Sequence, residues 1–188
     1  MALMEISERE VIERLRFDNP WWQAGRGVDA EYRDAPKRAY FTDFHRLVSQ
    51  SEVNRSVLVL GPRRVGKTWM MFQCIDALLR SGVSGSQILF ASLETPLYTG
   101  LSLEALLKLF LRLNPDEPKY VFFDEIQYLP DWERHLKSLT DSYRTYRFVG
   151  SGSAAAALKR KSQESGAGRF TDFQLPPLSF SEYLRFVG

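Results

Sequence analysis

Eight residues limit what this chain can fold into more than any other feature: Gly61-Pro62-Arg63-Arg64-Val65-Gly66-Lys67-Thr68. The order GxxxxGKT is a phosphate-binding loop, Walker A, when a strand leads into it and a helix leads out. Both flanks fit. Ser56–Leu60 is a short, continuous apolar run, and Thr68–Leu79 is rich in Met, Phe, Ile and Leu. Backbone N–H groups at a helix N-terminus hold the charge of a nucleoside triphosphate. Gly61 and Gly66 let the backbone close around oxygens with no Cβ in the way. Lys67 reaches the β- and γ-phosphates, and the Thr68 hydroxyl binds Mg²⁺. The expected cradle is therefore Gly61, Pro62, Arg63, Arg64, Val65, Gly66, Lys67, Thr68 and Trp69.

A second motif turns a nucleotide site toward hydrolysis. Tyr120-Val121-Phe122-Phe123-Asp124-Glu125 is an apolar strand ending in two acids, the Walker B form. In the simplest arrangement this strand lies beside the P-loop strand, with both carboxylates at the edge where open α/β sheets bind ligands. Asp124 is the expected Mg²⁺ partner with Thr68, through water, because Mg²⁺ keeps several waters and takes few carboxylates. Glu125 is the expected general base on the attacking water, with Lys67 balancing charge on the γ-phosphate. Acids after a strand also arise simply where a helix begins. The helix–strand–helix between Lys67 and Asp124 is what makes the two motifs a pair.

Composition sets the outer limits. With 188 residues and 44% apolar content, the chain can build one substantial domain with a core. No apolar run approaches the length of a membrane span, and the N-terminus lacks the apolar stretch of a secretory signal. A membrane role is not expected. The single cysteine, Cys74, can form no internal disulfide, so a reducing cytoplasmic location is expected. Net charge is +2, but from Arg134 onward nine Lys/Arg face four Asp/Glu. That basic C-terminal third leaves open a protein or nucleic-acid partner, against the plainer reading of a solvated face. His45 and His135 have no second ligand at metal spacing.

Periodicity and breakers divide the chain further. Glu5–Arg16 reads as an amphipathic helix ended by Asn19-Pro20; Trp21-Trp22 and a Gly/Asp/Arg-rich loop follow. Helices are expected at Thr42–Ser49, Thr68–Leu79, Glu104–Leu113, Pro130–Tyr143, Ala154–Lys161 and Ser179–Val187. Strands are expected at Ser56–Leu60, Gln87–Leu93, Tyr120–Phe123, Tyr146–Gly150 and Phe170–Leu175, with a mobile loop at Gln163–Gly168. Strands alternating with helices imply right-handed crossovers and a parallel sheet. The reading is a three-layer α/β/α P-loop NTPase. Its strand between the two motifs fits the additional-strand branch, with about five strands in the order 5-1-4-3-2. Residues 1–38 form an N-terminal helical extension and 39–188 the P-loop domain.

The segments GPRRVGKT, FFDEIQYLPDWERHLKSL, FVGSGSAA, GAGRF and PPLSFSEYL resemble the prokaryotic AAA+-like ATPases of the archaeal-ATPase type, over roughly Tyr40 to the end. The resemblance implies an ATPase with a Mg²⁺–ATP site, converting ATP to ADP and phosphate to drive a conformational change. Such chains usually continue past PLSFSEYL into a further C-terminal domain, so a shortened or minimal member is expected. Relatives often end the fourth strand in Thr-Gly-Ser. Ser151 is the best match for the polar residue that contacts the γ-phosphate or the attacking water, with Ser153 as the alternative and a plain helix N-cap serine as the third reading. Arg169 matches the family's Gly-Arg segment and reaches a γ-phosphate in cis or in a neighbouring subunit of a homo-oligomer, or is a surface salt-bridge arginine. Trp21, Trp22, Tyr40 and Phe41 precede the loop where such sites sandwich adenine, and each is also a core candidate. A nucleotide switch or scaffold with little hydrolysis, and a small-molecule kinase, remain as rivals.

Overall fold

The computed structural model describes residues 7–49, 53–114, 120–153 and 168–187. Five strands form one sheet: β1 (Ser56–Leu60), β2 (Ile88–Ser92), β3 (Tyr120–Asp124), β4 (Arg147–Gly152) and β5 (Phe170–Gln174). All pair in parallel, in the order β2-β3-β4-β1-β5. This is the expected 5-1-4-3-2 read from the other edge. It corrects the simpler expectation that the two motif strands are neighbours. β4 lies between them, with Val59 opposite Ser151 and Phe122 opposite Val149. The site is therefore shared by three strand ends.

Central strands here are buried on both faces and read as continuous apolar runs. Along β1, Val57 and Val59 join one core, while Leu58 and Leu60 join the other. The two-residue side-chain period sends alternate residues to opposite faces. On the first face lie α3 (Phe41–Ser49) and α4 (Lys67–Arg80), supplying Phe44, Met70, Met71, Cys74 and Ile75. On the second lie α1 (Glu8–Asp18), α5 (Leu103–Leu113) and α6 (Trp132–Ser142), supplying Leu15, Leu106, Phe110, Leu136 and Leu139. Phe110, Phe122, Phe123 and Phe148 are almost wholly buried. Truncating such a residue to Ala costs about 3–5 kcal/mol.

Helix boundaries follow local chemistry. Ser7 caps α1 in a capping box with Glu10, and Ser102 accepts from the Ala105 N–H to start α5. A short helix, α2 (Ala30–Arg33), stands where the sequence suggests only a loop. Its Tyr32 stacks on Phe72 of α4 at 4.3 Å between ring centroids, a tertiary contact no local pattern encodes. The last described helix, α7 (Phe180–Val187), follows β5. The helix expected at Ala154–Lys161 and the loop at residues 163–167 lie outside the described residues.

The segment after α1 crosses the open edge of the sheet. Asn19 accepts from the Phe90 N–H at 2.6 Å and donates to the Phe90 carbonyl at 2.8 Å. The Trp21 and Trp22 indoles both donate to the Ile88 carbonyl, at 3.1 and 2.8 Å. Side chains thus satisfy backbone groups that an edge strand otherwise offers to other chains. This occupies both tryptophans with the edge of β2. No helix among the described residues is long and apolar enough to cross a membrane.

Candidate functional site

The loop Gly61–Gly66 links the end of β1 to the start of α4. A Cβ on Gly61 would stand 2.2 Å from the Leu175 carbonyl oxygen, so only glycine permits this approach. Arg64 (φ 64°) and Gly66 (φ 92°) are both left-handed. For arginine that conformation stores strain of order 1–3 kcal/mol, as functional loops often do. Lys67 is buried, and its Nζ donates to the Gly61 and Pro62 carbonyls at 3.2 and 3.0 Å. Arg63 and Arg64 are exposed beside it. Trp69 is exposed on α4, its ring edge-on to Tyr32 at 4.9 Å.

From β3, Asp124 meets the loop. It is buried and accepts from the Thr68 hydroxyl at 2.9 Å and from the Ser151 hydroxyl. Burial pushes its carboxyl above the usual range, while the Ser151 and Thr68 hydrogen bonds pull the other way. A hydroxyl and a buried carboxylate converging in this way offer hard oxygen donors to a cation. The donor set fits Mg²⁺, which takes one or two protein oxygens and keeps its waters.

Glu125 follows in a left-handed conformation (φ 53°) that turns it off the strand. One carboxylate oxygen is 3.8 Å from Lys67 Nζ; the other accepts from the Gln127 side-chain amide. The Gln127 carbonyl oxygen in turn accepts from the Ser153 N–H at 3.2 Å. Gln127 therefore ties Glu125 to the end of β4. The sequence contained its signal, a glutamine two positions after the acidic pair, but only the fold shows what it bridges.

The fold places the two remaining candidates, Ser151 and Arg169, very differently. Ser151 is fully buried; its hydroxyl donates to Asp124 and accepts from the Glu125 N–H at 3.0 Å. It braces the two acids from the end of β4. Arg169 stands just before β5, its carbonyl accepting from Ser56 N–H at the start of β1. That is the edge opposite the loop, about 16 Å away along a five-residue strand. Its guanidinium pairs with Asp141 at 2.5 Å, both side chains partly exposed. Reach to this chain's own γ-phosphate position is thereby excluded.

Two residues missed in the sequence complete the edge. Arg38 is buried and donates to both carboxylate oxygens of Glu182, at 2.8 and 3.2 Å, and to the Val65 carbonyl of the loop at 2.6 Å. The Arg38 hydrogen bond, joined by the Ala39 and Ser179 N–H groups, holds Glu182 down to about 2 despite its burial. Beside them a cavity of about 310 Å³ is lined by Ala39, Tyr40, Ser179, Ser181, Glu182 and Arg185. A second, of about 270 Å³, reaches Thr68 and Asp124 from the Trp21, Tyr32 and Phe72 side. A larger apolar cavity of about 1020 Å³ lies between α1 and α5 and includes none of these site residues. Phe41 packs against His45 instead of lining either smaller cavity.

Three comparisons bear on this geometry. A family model described as "AAA domain" matches residues 53–184. An uncharacterized protein of Methanocaldococcus jannaschii is 28% identical over 71% of this chain and 29% of its own length. An uncharacterized protein of Haemophilus influenzae is 27% identical over 74% of this chain and 35% of its own. The chain thus spans about a third of the length of these curated relatives. Among solved structures, the ORC1 protein of Aeropyrum pernix, determined in complex with DNA, aligns with a TM-score of 0.57 at 14% identity. The alignment covers 85% of this chain and 51% of that one.

Proposed function

The chain belongs to the AAA domain family and is an AAA+-like P-loop ATPase, and from that premise we propose that its site binds ATP with Mg²⁺ and hydrolyses it to ADP and phosphate. One observation carries the reading: the Thr68 hydroxyl of α4 touches the Asp124 carboxylate of β3 across the sheet edge. Both motifs thereby converge on one point beside Lys67 and Glu125. Backbone N–H groups of Gly61–Trp69 cradle the phosphates, and Lys67 shifts from its loop carbonyls toward the γ-phosphate. Thr68 and Asp124 would hold Mg²⁺, which would supply charge neutralisation at the phosphates. Glu125 accepts the proton of the attacking water, and Ser151 and Gln127 hold it and Asp124 in place. The base enters the cavity at Tyr40, whose ring stacks on it. The affiliation with the archaeal-ATPase type belongs to this proposal, as does the use of turnover to drive a conformational change.

A second reading, a slow nucleotide switch, has its own support. Glu125 is held by the Gln127 amide and lies 3.8 Å from Lys67 Nζ, an arrangement that ties the acid to the loop and to the end of β4. Phosphate release under multiple-turnover conditions, with and without candidate acceptors, separates these readings. Steady turnover with Mg²⁺ and water alone supports hydrolysis. Release that stops after one equivalent supports the switch, and release of ADP without phosphate points to transfer onto an acceptor.

A further inference from the structure

α7 is attached to the protein in an unusual way. Its one buried residue is Glu182, while Phe180, Tyr183, Leu184 and Val187 are exposed. A helix normally docks by an apolar stripe; this one is seated by a carboxylate. Glu182 accepts from the Ala39 N–H at 3.0 Å and the Ser179 N–H at 3.1 Å besides Arg38. The Arg38 guanidinium also donates to the Pro176 carbonyl at 3.0 Å. A longer bond reaches the Pro177 carbonyl at 3.4 Å, and Nη1 donates to the Val65 carbonyl.

That last bond acts on the phosphate loop directly. Val65 sits between left-handed Arg64 and left-handed Gly66. The peptide unit is planar and trans, so its C=O and N–H point in opposite directions. Holding the Val65 carbonyl toward Arg38 aims the Gly66 N–H the other way. Arg38 is thus a positioning residue that sets one amide of the loop. The planar guanidinium grips both Glu182 oxygens while Nη1 reaches that carbonyl, a spread of donors that a lysine's single nitrogen does not reproduce.

We propose that Arg38 and Glu182 form a latch between the phosphate loop and α7, so that phosphate in the loop and α7 in its seat stabilise one another. The inference rests on the nucleotide-site reading and adds to it a reciprocal coupling, since a ligand that favours the seated helix must be favoured by it. Detaching α7, by whatever docks there, loosens the loop.

The test uses Mg²⁺–tripolyphosphate, which has no base or ribose to touch α7 through the Tyr40 cavity. Hydrogen exchange of α7 amides in the wild-type chain is expected to slow several-fold on saturation. Glu182→Gln keeps the shape of the helix cap and is expected to lose that protection. It should also bind tripolyphosphate about tenfold to a hundredfold more weakly, the range for a lost charged hydrogen bond. Arg38→Lys should not rescue binding, whereas Arg33→Ala, which breaks only a surface pair with Asp34, should change nothing. Unchanged α7 exchange in the liganded wild type, or full affinity in Glu182→Gln, overturns the latch while leaving the nucleotide site standing. If the wild type binds neither ATP nor tripolyphosphate, the functional reading fails on its own. The latch is then decided by Gly66 amide exchange in ligand-free protein: faster in Glu182→Gln supports it, equal overturns it.

Discussion

Two arginine–carboxylate pairs sit at opposite edges of one sheet and have little else in common. At the loop edge, Arg38 and Glu182 have side chains 6% and 5% exposed. At the far edge, Arg169 and Asp141 are 46% and 41% exposed, although their contact is shorter. The first pair is shielded from water and satisfied by further backbone partners. The second competes with solvent and salt, where an ion pair contributes about 0–1 kcal/mol. Contact length is therefore a poor guide to which arginine matters. Where the strand ends place it, and what else it must satisfy, decides.

The sharpest way to break the contrast is at the buried edge itself. Lys67→Ala is expected to abolish measurable nucleotide binding, because its buried Nζ stands over the phosphate loop on the Gly61 and Pro62 carbonyls and is the side chain proposed to contact the phosphates. Unchanged ATP affinity by calorimetry would remove the functional claim of that edge. Glu125→Gln is expected to bind ATP and retain it while hydrolysis falls about 10²–10⁴-fold, the range of a general base. Phosphate release at the wild-type rate would show that Glu125 is not the base.

The next effect is on stability. Arg38→Ala leaves Glu182 buried without its cation, a change that costs about 3–5 kcal/mol. Urea unfolding reads this as a lower midpoint with the same slope. Acid acts on the same pair. The Glu182 carboxyl is held at about 2 when folded, against an ordinary value of 4.5. A depressed pKa stabilises above the unfolded value, so the contribution is complete above about pH 4.5 and is lost as pH falls toward 2. Its size is about 3 kcal/mol. Glu182→Gln should flatten that part of the stability–pH curve; an unaltered curve would mean the pair is not coupled to folding.

The smallest effect is expected at the far edge. Arg169→Ala should shift stability by less than about 1 kcal/mol and leave the hydrolysis rate per chain unchanged. A rate loss of tenfold or more, or a rate that rises with protein concentration, would restore a role for Arg169 in a neighbouring chain's site.

Much of the site was legible because its chemistry is contiguous. Gly61–Thr68 carries its own strand, turn and helix start, and Asp124-Glu125 ends an apolar run, so the place of each could be read from neighbours in sequence. Ser151 was legible as a residue at the right strand end, whereas its bonds to Asp124 and Glu125 were not, because they join two strands that are far apart in sequence. Gln127 shows the same limit within two residues, since its partner on the far side is the backbone of Ser153.

What the amino-acid order determined by itself was the alternation of strands and helices, the phosphate loop and the pair of acids, all set by interactions over a few residues. Tertiary structure alone decided three further things. Asn19 and the tryptophans close the β2 edge, 66 to 71 positions away. Arg38 meets Glu182 across 144 positions. Arg169, which the family resemblance placed among active-site candidates, is carried to the opposite edge by the parallel direction of β5. The physical reason is common to all three. A charged or polar side chain takes its role from the partners that satisfy it once water is excluded, and those partners are chosen by strand order and burial, which no short stretch of chain specifies.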